Sequence, residues 1–187
     1  MPDPFISTTD VVNYIGRGGT ADAGMVIAVD AACDTCRTIS EQSFNAATST
    51  ITLDGTGTDT ILLPESPVTA AGTVVVAGGA VTDYVLNGNG ILIRKQTGTD
   101  VDYCGSYTAL KWPAGRQNVV VTYDHGYADA DIPRDVRMVA LAIASRLVLQ
   151  GPLIQETLGE TSARYGVNST DLTNGELRIL RKYRQTR

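Results

Sequence analysis

The sequence contains a single histidine, three cysteines and a single tryptophan. One imidazole leaves no room for a histidine-rich metal site. With no Ser or Cys in an elbow motif, a nucleophilic triad has no support either. Three cysteines are an odd number and too few for a disulfide scaffold, so a reduced interior is expected. No run of about eighteen apolar residues occurs, which excludes a membrane-spanning helix of the usual kind. The start, Met1-Pro2-Asp3-Pro4, is not a basic-then-apolar leader, so no signal peptide is expected. Aromatics make up 6% of the chain, too few for the stacked platforms on which sugar-binding surfaces are built. Basic residues are not clustered in the body of the chain, which argues against generic DNA binding, because phosphate contacts need grouped Lys and Arg.

What is present is an ordinary apolar fraction, 43%, with 19 glycines in 187 residues. That mixture suits a packed core built partly from short strands and tight turns. Charge is uneven. From Arg164 onward six basic residues (Arg164, Arg178, Arg181, Lys182, Arg184, Arg187) face two acidic ones, a surplus of four. The whole chain stands at −5, so the remainder carries nine net negative charges. An acidic body with a basic end points to two surfaces with different partners.

Four segments follow from the punctuation: helices over 1–48, antiparallel strands over 49–127, a central apolar helix over 128–152, and over 153–187 an extended stretch before a basic helix. Thr8, Thr9 and Asp10 offer caps for a first helix that Gly16 ends, and Thr20 or Asp22 starts a second. The second helix has an apolar stripe of Met25/Val26, Val29, Ala32/Cys33, Cys36 and Ile39, and fraying is expected between Ser40 and Phe44. Strands are expected at Ile51–Leu53, Thr60–Leu63, Thr73–Val76, Val81–Leu86, Ile91–Lys95, Tyr103–Leu110 and Val119–Tyr123. The Asn87-Gly88-Asn89-Gly90 run serves as a hairpin turn. Pro133 suits the first position of the central helix, with Asp131 or Ile132 as its cap. That helix is apolar nearly all round, so it needs partners within the chain or in copies of it. Thr173 and Glu176 form a capping box for the last helix. Leu177, Leu180 and Tyr183 line one of its faces, and Arg178, Arg181, Lys182 and Arg184 occupy the others. The fold class is therefore α+β, with a small antiparallel β sandwich or barrel between helical segments.

Several constellations have bland readings. Cys33-x-x-Cys36 has redox or zinc spacing, and Cys104 with His125 would complete a ligand set. Both paired cysteines, however, fall on the apolar stripe of a helix. Gly16-x-Gly18-Gly19 breaks helices rather than cradling phosphate. Asp54, Asp59, Asp100 and Asp102 lie in turn-like Gly/Thr surroundings without a calcium loop. Asn168-Ser169-Thr170 matches a glycosylation sequon, irrelevant without export. No catalytic, metal or cofactor residue is assigned. Trp112, before Pro113 at a hairpin tip, either marks a contact surface or folds back onto the sheet.

Five pieces in a fixed order carry a resemblance: the Thr8-Thr9-Asp10-led helix with the second behind it; Ile51-Thr52-Leu53-Asp54-Gly55-Thr56-Gly57 through Pro64, with Pro67-Val68; Val81-Thr82-Asp83-Tyr84 before the Asn-Gly turn; Tyr123-Asp124-His125-Gly126-Tyr127 into Ile132-Pro133-Arg134-Asp135-Val136; and Leu158-Gly159-Glu160 with Glu176 to Arg184. Together they resemble the head–tail connector (adaptor) proteins of long-tailed bacteriophages, of the type found in phages of actinobacteria. The Asp/Ala alternation between Gly126 and Ile132 departs from that pattern. The resemblance implies a helical bundle interrupted by the small antiparallel β sandwich or barrel, and a non-enzymatic neck subunit in a twelve-membered ring, between the portal protein of the DNA-filled head and a tail-proximal (stopper) protein. It also implies that double-stranded DNA passes without specific binding, and that the protein is located in the virion after assembly in the host cytoplasm. Portal contacts are expected at Leu177, Arg178, Leu180, Arg181, Lys182, Tyr183 and Arg184, and inter-subunit contacts at Trp112, Tyr127 and Arg134. The alternative is a β-type module of a virion protein that binds carbohydrate or protein.

Overall fold

A computed structural model describes residues 3–16, 22–87, 89–95, 110–150, 155–158, 161–164 and 172–184. The chain divides into two compact units, one of Met1–Gln42 with Asp131–Arg184, the other chiefly Ser43–Ala130.

The first unit is built on helices α1 (Thr8–Ile15), α2 (Ala23–Ser40), α3 (Arg134–Gln150) and α4 (Asn174–Lys182). Ser7 caps α1, one residue before the expected candidates. Its Oγ accepts from the Asp10 amide while Asp10 returns a bond to the Ser7 amide. Asp10 is thus the distal half of a capping box. Gly16 closes α1 in the left-handed region, at φ 68°. Asp22 caps α2 by accepting from the Met25 amide at 2.8 Å. Instead of fraying, α2 stops at Ser40, with Glu41 in the left-handed conformation. A single 3₁₀ turn, Asp129–Asp131, precedes α3, and the Pro133 carbonyl accepts the first helical bond from Arg137. Pro133 therefore stands one position earlier than expected, as the cap.

The inward sides carry Val11, then Val29, Ala32, Cys33 and Cys36, then Val136, Val139, Ala140, Ile143 and Ala144, and finally Leu180. α2 packs mainly on α3, and α4 packs on both. One expectation is corrected here: Val26 is exposed rather than inward, because the α2 core stripe begins at Ala28. On α3 only Arg134, Met138 and Leu149 are exposed among the described side chains. The short strands β8 (Gln155–Leu158) and β9 (Thr161–Arg164) form a two-stranded antiparallel sheet where an extended stretch was expected. Gly159 and Glu160 lie outside the described residues.

The second unit is antiparallel. Strands β1 (Ala47–Gly55), β3 (Val68–Val76), β4 (Gly79–Val81) and β7 (Gly115–His125) form a sheet in the order β1-β7-β3-β4. β2 (Thr60–Leu62), β5 (Tyr84–Asn87) and β6 (Ile91–Arg94) form another in the order β2-β6-β5. The expected single strand Val81–Leu86 is two strands in different sheets. Tyr84 N–H closes onto the Thr82 carbonyl at 3.0 Å and turns the chain between them. Ala77 (φ 48°) and Gly78 (φ 85°) supply the two positive φ angles of a tight β3–β4 turn. Both sheets feed one hydrophobic cluster: Ile61, Leu63 and Leu92 from one side, Val68, Val74, Val119, Val121 and Tyr123 from the other, with Trp112 among them. The expected strand at Tyr103–Leu110 lies, except for Leu110, outside the described residues.

Candidate functional site

α4 is the element to which partner contacts were assigned. Thr173 caps it, and the Glu176 carboxylate returns a bond to the Thr173 amide at 2.8 Å. The same carboxylate takes a two-point clamp from Arg146 of α3, at 2.9 and 3.1 Å. Burial alone would raise the Glu176 pKa, but the bonds from Arg146 and Thr173 outweigh it and hold it below the usual carboxylate range. Two of the residues expected at the portal make contacts inside the chain. Leu180 is fully buried. The Tyr183 hydroxyl donates to Asp135 of α3 at 2.7 Å. Leu177 is half-buried, and Arg184 pairs with Glu41. That leaves Arg178, Arg181 and Lys182 as the outward basic face of α4. The periodicity that marks Leu180 and Tyr183 as one face says which side is apolar, not which molecule covers it.

Of the residues assigned to subunit contacts, Arg134 is exposed at the start of α3, and Tyr127 is half-buried with its backbone tied to Phe44 and Ala46. Trp112 is corrected outright, because it is fully buried. Its amide donates to the Thr58 carbonyl at 2.7 Å, and the Arg94 guanidinium stands 5.2 Å over its ring. Missing from the sequence reading were Ile27 and Met138, both outward and apolar. Their signal was a large apolar side chain opposite a helix's core stripe.

Burial pushes the Cys33 thiol up and the Cys36 thiol up to about 12, which disfavours a free, reactive thiolate at either. Cys104, Asp100, Asp102, Gly18, Gly19 and Asn168 lie outside the described residues. Among the described residues no group of three ligating side chains could hold a metal, and no helix is long and apolar enough to cross a membrane. A cleft of about 340 Å³ lined by Leu53, Ile61, Leu63 and Pro64 has one ionisable wall, Asp54, whose carboxylate already accepts from the Gln117 amide. It lacks the convergent polar groups of a sugar site.

His125 is buried at the end of β7. Its Nε2 lies 2.8 Å from Ser49 Oγ, and its Nδ1 lies 3.4 Å from Ser43 Oγ. Ser49 and His125 have the spacing of a nucleophile and its base. Yet Ser49 stands mid-strand opposite Tyr123 rather than at an elbow, and the nearby carboxylate, Glu65, accepts from the Ser43 backbone. The imidazole is a tie between strands. Burial lowers its pKa, and Glu65 and Asp124 offset this only in part. With the folded pKa below the ordinary 6.5, the unfolded chain binds the proton first. The stabilising contribution is therefore complete above 6.5 and declines as pH falls below it. Thermal melts are expected to show a falling midpoint as pH drops from about 7.5 to about 5.5, and His125→Gln to flatten that slope. A wild-type slope equal to the variant's would show that burial costs the charged ring nothing.

No protein-family model matches the chain, and no curated protein matches it. Solved structures do. A chain in "Neck of empty GTA particle computed with C6 symmetry" matches at TM-score 0.61 and 16% identity, over 97% of this chain and 90% of that one. A chain in "Neck of native GTA particle computed with C12 symmetry" matches at 0.61 and 12%, over 96% and 88%. A chain in "Virion of native gene transfer agent (GTA) particle" matches at 0.59 and 16%, over 100% and 92%. At these identities the likeness establishes a shared fold along nearly the whole chain, in both the helical and the β parts.

Proposed function

We propose that this protein is a structural, non-enzymatic subunit of a phage-type virion neck: an adaptor ring between the portal protein and a tail-proximal stopper protein, around the DNA channel. The observation that carries this reading is the end-to-end fold match with chains from particle necks treated with sixfold and twelvefold symmetry. A shared fold alone does not transmit function. Here the rest of the molecule agrees with it. Among the described residues, Cys33, Cys36 and His125 are buried in packing, and exposed apolar and charged side chains on the helices are available to partners. The acidic balance of the body suits a wall past which DNA must slide, since like charges repel. The basic face of Arg178, Arg181 and Lys182 is the proposed portal contact, one helix side narrower than the sequence alone suggested.

Native mass spectrometry of the full chain, alone and mixed with the portal protein of the same genome, tests this. A species of twelve copies is expected, free or on the portal. The double variant Arg178→Glu, Arg181→Glu is expected to lose the portal-bound species. A single copy in both preparations would overturn the reading.

A further inference from the structure

Among the described residues, α2 and α3 of the helical unit each expose large apolar side chains. On α2, Ile27 is 69% and Val26 48% exposed. At about 100° per residue, Ile27 lies opposite the buried line Val29, Ala32, Cys33 and Cys36. Exposed Ala23 stands one turn before it, and exposed Asp30 one turn after. On α3, Met138 is 51% exposed and lies opposite the buried Val136, Val139, Ala140 and Ile143. Exposed Arg134 stands one turn before it, and half-buried Ala142 one turn after. Neither Asp30 nor Arg134 has an ion-pair partner among the described residues.

Single exposed apolar residues are ordinary. These two faces are distinguished by their order. Read from the N-terminal end, α2 presents small, large apolar, acid. Read from its C-terminal end, α3 presents small, large apolar, base, at the same one-turn spacing. Laid antiparallel, Ala23 meets Ala142, Ile27 meets Met138, and Asp30 meets Arg134. The small pair lets the two backbones approach, and the charged pair fixes direction and register. The patches lie on different helices and are not copies of each other, so the contact is heterologous, the kind that closes rings.

We infer that the outward face of α2 on one copy docks antiparallel on the outward face of α3 on the next, with Ile27 against Met138 and Asp30 against Arg134. This rests on the ring reading above and supplies its subunit contact. In a Cys104→Ser chain, the double variant Ile27→Cys, Met138→Cys is expected to give a ladder of disulfide-linked multimers on a denaturing gel after mild oxidation, while either single variant, with one exposed thiol per copy, gives nothing beyond a dimer. Oxidation traps brief encounters, so a weakly populated ring still registers. Within one copy α2 and α3 turn these side chains away from each other, so every rung needs a second molecule. The charge arm is independent of the disulfide and is read by native mass spectrometry of the cysteine-unmodified chain. Asp30→Arg or Arg134→Asp alone is expected to cut multimer yield at least about tenfold, and the two together to restore it, because reversal trades attraction for repulsion. All four sites are exposed, so circular dichroism should match the parent. Rings without a ladder, or charge reversals that fail to restore each other, would overturn this contact and leave the neck reading intact. Neither rings nor ladder, with the portal protein present, would overturn both.

Discussion

Trp112→Ala is expected to destabilise the β unit by about 3–5 kcal/mol, the range for deleting a fully buried large aromatic, and to leave the proposed subunit contact of the helical unit intact. The indole is fully buried in the cluster shared by both sheets. Its removal also strips Arg94 of the ring beneath it, and Arg94 is otherwise tied to Asp83 at 3.5 Å. Collapse is restrained on the following side. Asn118 holds the Pro113 carbonyl at 2.9 Å and the Gly55 amide at 2.7 Å, which fixes the chain next to the cavity. Urea unfolding followed by hydrogen exchange at the β7 amides measures the loss, because the parent's only tryptophan fluorescence disappears with the substitution. A cost under about 1 kcal/mol with reduced ring formation would return Trp112 to a subunit surface, since exposed substitutions seldom cost more.

Trp112 also shows where sequence reasoning stops. A tryptophan before a proline near Gly115 carries the local signals of a hairpin tip, and both of its fates satisfy them. The choice depends on Thr58, Arg94 and Asn118, which converge on it only after distant strands have paired. Local chemistry was legible where it acts locally. Gly16 ending α1, Asp22 starting α2 and the Thr173–Glu176 box were all readable, because each bond spans three or four residues. Sheet membership was not. No Gly or Pro interrupts the run from Val81 to Leu86, and only the partner strands, β3 for one part and β6 for the other, divide it.

The helix faces follow the same logic. Periodicity marks α3 as apolar on more than one side, and no pattern within α3 tells which side α2 takes. The coordinates assign Val136, Val139, Ala140 and Ile143 to the interior and leave Arg134 and Met138 outside. On α4, the bond from the Tyr183 hydroxyl to Asp135 spans 48 positions, which no local pattern reaches.

Gly126→Ala is expected to unfold a large fraction of the β unit, with a cost of at least about 3 kcal/mol from two separable penalties. Gly126 follows β7 at φ 88°, where an alanine is strained by about 1–2 kcal/mol. A Cβ there would also stand 2.1 Å from the Asn45 carbonyl oxygen and 2.6 Å from its carbon, both backbone atoms. That segment cannot retreat cheaply. The Tyr127 amide donates to the Phe44 carbonyl at 2.7 Å, and the Ala46 amide donates to the Tyr127 carbonyl at 2.9 Å. Moving the chain far enough breaks these bonds at about 1 kcal/mol each, and more if a buried group is left unpaired. Gly78 separates the two terms. It has φ 85°, but a Cβ there meets nothing within 4 Å, so Gly78→Ala bears the conformational strain alone. Chemical denaturation of both variants should place Gly78→Ala within about 2 kcal/mol of the parent and Gly126→Ala clearly beyond it. Equal losses would mean that the chain after β7 yields freely and that the glycine serves only the angle.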